Sequence, residues 1–435
     1  MTKILDQPRY VCALGAMRTV QSIPGAIPIL HSGPGCAEKL NNNAAGNSGH
    51  FSPNIFPCTS ISEKEVVFGG NDKLKATIEN ALKVINAELF VVLTGCTSEI
   101  VGDRIEEISR EFQQQGKPVV YVNTPGFKGN NILGHDWVLS GIFDQFLSKE
   151  KVAIEKGCVN LFAGPPLYDP YWLGNLRAIE QLLTKLGLKP NTIFGHGRGI
   201  ANIKKIPAAE LNILVSPWAG IQSVQLLHEK FGTPYLHYPV LPIGAFETSK
   251  FLRAVAIAAG ISTAEAEKVI AASEAEYYYY IERYANTFLE LRIMSKRFTV
   301  ISDAQYSLAV TKFLTNDLGM FPTKQFITDD TPTERRPLIE DEFKKLNYGI
   351  EAEVEFSTNG YDIHEQIAKV DFSGIPLIFG SSYEKKLSNR LEGLYVNISY
   401  PMLEKLVINS SLAGYDGGLK LLEDIYTVGM SRLVL

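Results

Sequence analysis

Residues 88–103 read ELFVVLTGCTSEIVGD. Leu89 to Leu93 is an unbroken apolar run, short and rich in β-branched side chains, which is the pattern of a strand buried on both faces. The strand is expected to end at Gly95 and Cys96, with a helix opening at Thr97 or Ser98. A second such run, VVYV at 119–122, ends in the turn 123–126. Between them, residues 102–115 place Ile105, Ile108 and Phe112 at helical spacing. This is a strand–helix–strand unit, whose expected form is a right-handed parallel crossover. Upstream, residues 71–86 carry Leu74, Ile78, Leu82 and Ile85 on one face of an amphipathic helix.

The alternation continues to the end of the chain. A second series predicts strands at 158–163, 191–194, 211–215 and 234–238, with helices at 172–187, 221–231, 250–260 and 263–273. A third predicts strands at 297–302, 323–328, 350–355, 377–379 and 395–398, with helices at 304–318, 361–370, 385–391 and 416–426. The reading is an α/β chain of three Rossmann-like domains, each a parallel sheet flanked by helices, over 1–150, 151–290 and 291–435. Sites are expected in the crevices at strand carboxyl ends. The four consecutive tyrosines Tyr277–Tyr280 predict a helix buried between domains.

Composition narrows the function. The 435 residues suit two or three domains. A net charge of -5, with 45% hydrophobic and 20% charged residues, is globular and argues against a nucleic-acid surface. No run approaches the ~18 apolar residues of a membrane span. The opening MTKILDQPRY has no apolar signal core, so a cytoplasmic protein without a membrane role is expected. No GxxxxGK[ST] motif and no GxGxxG after a strand is present, so ATP and dinucleotides are not expected ligands of this chain.

Five widely spaced cysteines do not make a disulfide scaffold. Their intervals also differ from short-spaced ferredoxin or zinc-ribbon patterns. Cys36 follows a glycine–proline–glycine turn in HSGPGC, a context that brings backbone N–H groups near a ligand. Cys96 follows a buried strand and precedes a helix start, where N–H donors support a thiolate. Cys12 lies in VCALGA. Thiolates are the ligands that iron and cluster sulfide prefer, but three ordinary buried cysteines would read the same way. Cys158 sits inside an apolar run and reads as core. Cys58, in the proline-bounded FPCTS, stays open between packing and site.

Several segments together resemble the nitrogenase component 1 family. Cys12, the HSGPGC turn at Cys36 and the strand followed by GCTSEIVGD at Cys96 look like that family's three cysteine sites, in order and at similar intervals. VNTPGFKGNNILGHD at 122–136 is similar to its T-P-x-F-x-G-S segment. GSSYEK at 380–385 is similar to a third-domain G-x-S-Y motif, and GYDGGLKLLEDIY at 414–426 to the closing segment. The likeness spans almost the whole chain.

The resemblance implies one half of a pair of homologous subunits, usually an alpha2beta2 heterotetramer. An iron–sulfur cluster lies at the interface, held by Cys12, Cys36 and Cys96 on this side. It is expected to be an eight-iron P-cluster ([8Fe-7S]), with a [4Fe-4S] cluster as the alternative. Gly35 and Gly95 are expected to admit cluster sulfide beside the backbone. Thr97 and Ser98 are expected to donate to sulfur or cap a helix, and Glu99 and Asp103 to be helix-start or interface residues. No cysteine follows Cys158, and His364 reads as an ordinary helix residue with nothing paired to it. The chain therefore resembles the beta-type subunit, without the catalytic cofactor. It would relay low-potential electrons from an ATP-dependent iron–sulfur reductase to the catalytic metal in an alpha-type partner. Its modest length and NNNAAGNSGHFSP at 41–53 depart from nitrogenases proper, pointing to a nitrogenase-like reductase of methylthio-alkanes. A nitrogenase beta subunit reducing dinitrogen, a cofactor-assembly scaffold and a metal-free α/β binding protein are the alternatives.

Overall fold

The structure is a computed structural model that describes residues 7–42, 56–149, 152–291 and 295–433. Of the segment 41–53, which sets the chain apart from nitrogenases proper, residues 43–53 lie outside the described residues. The apolar run at 89–93 forms the middle strand of a parallel sheet ordered β1 (Ala26–His31), β2 (Leu89–Thr94), β3 (Val119–Val122). Every residue of β2 is buried. Its side chains alternate between two apolar layers. Phe90 and Val92 pack with Leu74, Ile78, Ile105, Ile108 and Phe112 of the helices Asn71–Val84 and Ile105–Gln114. Leu89, Val91 and Leu93 face the large central core, which includes Val138 and Ile142 of the helix Asn131–Phe146. A strand covered on both faces needs this unbroken apolar sequence, and each Leu or Val buried there contributes about 1.5–3 kcal/mol.

The second sheet is parallel in the order β5 (Lys189–Asn191), β4 (Cys158–Phe162), β6 (Leu211–Val215), β7 (Tyr235–Tyr238). The third is parallel too. It runs β11 (Val354–Phe356), β10 (Gln325–Ile327), β8 (Arg297–Ser302), β12 (Leu377–Gly380), β13 (Leu394–Asn397), with β9 (Phe321–Pro322) paired to β8. This is the expected α/β architecture of parallel sheets flanked by helices. The expected boundary at 150 falls where residues 150–151 are not described. The one at 290 falls within the long helix Thr263–Leu291.

Several readings need correction, among them the strand expected at 350–355, which lies at Val354–Phe356. β1 was not foreseen, because Pro28 interrupts AIPILH. It is an edge strand, where a missing N–H is tolerated. The strand expected at 191–194 lies at Lys189–Asn191. The Asn191 amide donates to Asn160 Oδ1 and to the Asn202 carbonyl, and Gly195 and Gly197 then turn the chain with positive φ. The helix at 263–273 and the helix of the tyrosine run are one continuous helix, Thr263–Leu291. The tyrosine run is not buried between domains. Tyr277 packs on Tyr415, while Tyr278, Tyr279 and Tyr280 are exposed by 47%, 53% and 45%. Successive helix residues turn by about 100°, so four in a row cannot share one buried face.

Candidate metal centre

The carboxyl ends of β1 and β2 set two of the three cysteines. After β1, Ser32 and Gly33 lead into the helix Pro34–Asn42, so the glycine–proline–glycine turn is the first turn of a helix. Pro34 takes the first position, where its fixed φ suits the helix and its missing N–H costs nothing. Cys36 follows one residue after Gly35 and is solvent-exposed. After β2, Gly95 is the N-cap of a short helix, Cys96–Val101, which Gly102 ends in the left-handed conformation at φ 80°. Cys96 is therefore the first helical residue and half-buried.

Cys12 comes from a third direction. It precedes a 3-10 turn, Ala13–Ala16, and pairs with Asn130 in an antiparallel bridge. Asn131 holds the same segment, with Val11 N–H donating to its Oδ1 at 2.9 Å and its own N–H donating to the Val11 carbonyl at 2.9 Å. Gly126 lies between this segment and Cys96. A Cβ on Gly126 would stand 2.7 Å from Cys12 Cβ and 3.3 Å from the sulfurs of both Cys12 and Cys96. Its N–H donates to Cys96 Sγ at 3.2 Å. The packing around Cys12 pushes its thiol up, and the nearby thiols of Cys96 and Cys36 push the same way. The N–H groups of Leu14 and Gly15 oppose them. The fold thus brings the three cysteines into one neighbourhood, and two of them directly against one glycine.

The remaining expected residues divide. A Cβ on Gly35 would meet nothing within 4 Å, so the backbone beside Cys36 faces open space. Gly95 is different: a Cβ there would fall on the side chain of Ser32, 2.7 Å from its Cβ. Its small size serves the contact between the ends of β1 and β2. Ser98 Oγ lies 2.8 Å from the His31 carbonyl and 3.0 Å from that of Gly95, so its proton goes to the backbone rather than to sulfur or a cap. Thr97 is half-buried in the first turn. Glu99 stands in the same turn, accepts from Thr94 Oγ1 at 2.8 Å and pairs with Lys128. Cys58 packs behind the site, its thiol donating to the Ser32 carbonyl at 3.4 Å. Cys158 is buried in β4.

Sequence reasoning missed two parts. One is Gly126, which TPGF showed only as a turn. The other is a buried brace behind the cysteines. His31 Nε2 meets Asp103 Oδ2 at 2.9 Å and its Nδ1 meets Thr59 Oγ1 at 3.1 Å. Burial lowers the imidazole below its ordinary pKa against the pull of Asp103. The brace joins the end of β1, the end of the Cys96 helix and the loop of Cys58. His364 is also not the unpaired helix residue expected: its Nε2 meets Glu384 Oε1 at 3.0 Å.

Among the described residues, no three histidine, cysteine, aspartate or glutamate side chains converge tightly enough to hold a single metal ion. The thiols instead border an open face, with Cys12 and Cys36 exposed. Soft thiolate donors and a glycine without a side chain between two of them fit a bulky sulfide-containing group better than a lone ion. No described helix is long and apolar enough to cross a membrane.

The chain is similar to known proteins over nearly its whole length. The chain is 22% identical to the nitrogenase molybdenum-iron protein beta chain of Crocosphaera subtropica, over 98% of this chain and 84% of that one. It is 23% identical to the beta chain of Clostridium pasteurianum, over 98% and 93%. An alpha chain from Methanosarcina barkeri is 26% identical over 60% of this chain. The solved structure described as nitrogenase Cp1 at pH 6.5 superposes with a TM-score of 0.83 at 21% identity, covering 100% of this chain and 95% of that one. The family model for nitrogenase component 1 type oxidoreductases matches residues 12–430. The chain belongs to the nitrogenase component 1 type oxidoreductase family and is, within it, most consistently similar to the beta-type chains.

Proposed function

We propose that this chain is the beta-type subunit of a nitrogenase-like reductase and holds half of an iron–sulfur centre through Cys12, Cys36 and Cys96. The observation that carries the reading is the approach of Cys12 and Cys96 to Gly126 from opposite segments, with Cys36 close enough to raise the Cys12 thiol. Three thiols at an open face need their remaining ligands from outside, and a homologous alpha-type subunit is the proposed source. The surface around them supports this. Ile100, on the Cys96 helix, is exposed by 76%, and Phe127, next to Gly126, by 58%. Phe68, from the helix Glu63–Phe68 that packs on the Cys96 helix, is exposed by 81%. Large apolar side chains in water beside a candidate ligand set mark an interface.

A cluster bound there would supply one-electron transfer at low potential. The chain's residues supply the rest: thiolates to ligate, the Gly126 N–H to tune sulfur, and the apolar rim to exclude water once the partner docks. The proposed flow runs from a transiently docked ATP-dependent iron–sulfur reductase to a catalytic metal cofactor in the partner, in an alpha2beta2 assembly. At the carboxyl ends of β4, β6, β8 and β10, Tyr168, Asp169, Trp218, Asp303, Thr328 and Asp329 line a cavity of about 40 Å³.

Iron counting on anaerobic protein with its partner tests the centre. About eight irons per subunit pair is expected for the P-cluster type and four for the simpler relay. No iron with both subunits present overturns the reading. For the substrate we propose carbon–sulfur bond reduction in methylthio-alkanes, read as release of methanethiol. Similarity to chains named molybdenum-iron protein beta favours dinitrogen as the second reading, and ammonium formation by the same complex would select it.

A further inference from the structure

The GSSYEK motif at 380–385 has no place in the centre described above, yet it ends on the segment that carries Cys12. β12 runs out at Gly380, where a Cβ would collide with Glu384, 2.7 Å from its Cγ. The glycine lets the Glu384 carboxylate fold back over the strand end. There Ser381 N–H and Oγ–H donate to Oε2 at 2.8 and 2.9 Å. His364 approaches Oε1 at 3.0 Å. Arg9 closes the set, with its two terminal nitrogens 2.9 Å from Oε2 and 2.5 Å from Oε1. Glu384 is fully buried and Arg9 is exposed by 9%. Arg9 also lies against the Tyr383 ring and donates to the Ile301 carbonyl at 3.3 Å. A two-pronged guanidinium–carboxylate pair fixes orientation as well as distance.

Arg9 is three residues before Cys12. A second strap runs in parallel, because Asn130, the bridge partner of Cys12, donates through Nδ2 to the Asp329 carbonyl at 2.9 Å. Both straps end on the third sheet, hundreds of residues away in sequence. By contrast, Cys36 and Cys96 are set by the ends of β1 and β2 in the first sheet.

We propose that Glu384 is a positioning residue for the Cys12 thiol, acting through Arg9, so that the third sheet sets the distance between Cys12 and Cys96. The inference rests on the cluster reading for its purpose but not for its geometry. It assigns the GSSYEK motif a task, holding one ligand of a site built mainly by another sheet. A change in how the third sheet sits would then be felt at one sulfur of three.

The test uses the full chain without added iron and a short bifunctional thiol reagent, dibromobimane. Mass spectrometry reads the yields of the Cys12–Cys96 and Cys36–Cys96 cross-links. The double variant Arg9→Met with Glu384→Gln removes both charges together, so no buried charge is stranded. The Cys12–Cys96 yield should fall several-fold while the Cys36–Cys96 yield stays as in the unmodified chain. An unchanged ratio in a folded double variant overturns the proposal, as does an equal fall in both yields. Should the double variant not fold, Arg9→Lys keeps the cation but not the fork. It is expected to lower the ratio by a smaller factor, and an unchanged ratio overturns the proposal there too. Iron content of a Cys12→Ala variant with its partner is read separately. Iron retained there defeats the cluster reading and leaves the positioning result standing.

Discussion

The main-chain N–H of Gly126 donates to the sulfur of Cys96 at 3.2 Å, and the missing side chain of the same glycine leaves room for the sulfur of Cys12. A single glycine in the turn after β3 thus meets one thiol with its donor and a second with its lack of a Cβ. Gly126→Ala would place a methyl group 2.7 Å from Cys12 Cβ and 3.3 Å from both sulfurs. The Cys12 segment then has to move. The expected result is loss of most of the bound iron in the complex with the partner, with the thermal midpoint of the chain little changed. Full iron occupancy in the alanine variant would count against the shared centre.

Gly95 makes the opposite prediction. Its backbone, at φ -90° and ψ 178°, suits any residue, so the demand for glycine is steric and comes from Ser32. Gly95→Ala should destabilise the fold by about 1–3 kcal/mol, the usual cost of overpacking a filled site. Ser32→Gly in the same chain should recover much of that loss. Urea denaturation of the two single variants and the double variant gives the coupling. Strict additivity would show that the contact is not the cause.

These two glycines show how far the sequence could be read. Val119–Val122, Leu211–Val215 and Arg297–Ser302 are strands over the predicted residues, because a run buried on both faces needs no partner to be recognised. β1 was hidden by Pro28, whose tolerance depends on lying at a sheet edge. That is a property of the sheet order, not of the local sequence. Gly95 stood beside a cysteine and looked like part of the metal site, while its neighbour in space is Ser32. Gly126 looked like a turn, and its role exists only once three distant segments meet. Local periodicity carries the elements; long-range contacts carry the site.

The cysteines themselves separate by environment. Cys158 is buried at the start of β4, and Cys158→Ala should cost roughly 1–3 kcal/mol of stability at most and no iron. Cys96→Ala should lose the iron and cost little stability, because its side chain is only half-buried. Gly35→Ala is sterically free in the chain alone, with nothing within 4 Å of the new methyl group. Iron loss in that variant at unchanged stability would place cluster sulfide beside Gly35. Denaturation curves beside iron analysis on the same samples make the comparison, and iron loss in Cys158→Ala would reverse the assignment.

Asp303 sets a pH dependence of its own. It is partly buried at the start of the helix Ala304–Asn316, with Tyr306 N–H donating to its Oδ1 at 3.0 Å. Burial, joined by the charges of Asp329 and Asp169, pushes its carboxyl up to about 7. The unfolded chain gives up this proton near pH 4, so between about pH 4 and 7 the folded state binds more protons. Stability from this group therefore falls as pH rises through that window, by up to about 1.4 kcal/mol per unit. Asp303→Asn keeps the acceptor for Tyr306 and removes the titration. The variant should gain on the unmodified chain with rising pH, reaching about 1–3 kcal/mol more stable by pH 8 and close to equal at pH 4 to 5. Urea denaturation at pH 5 and pH 8 reads the difference. A gain that shrinks toward pH 8 would mean that the carboxyl is ionised in the folded chain at lower pH and held by partners that outweigh its burial.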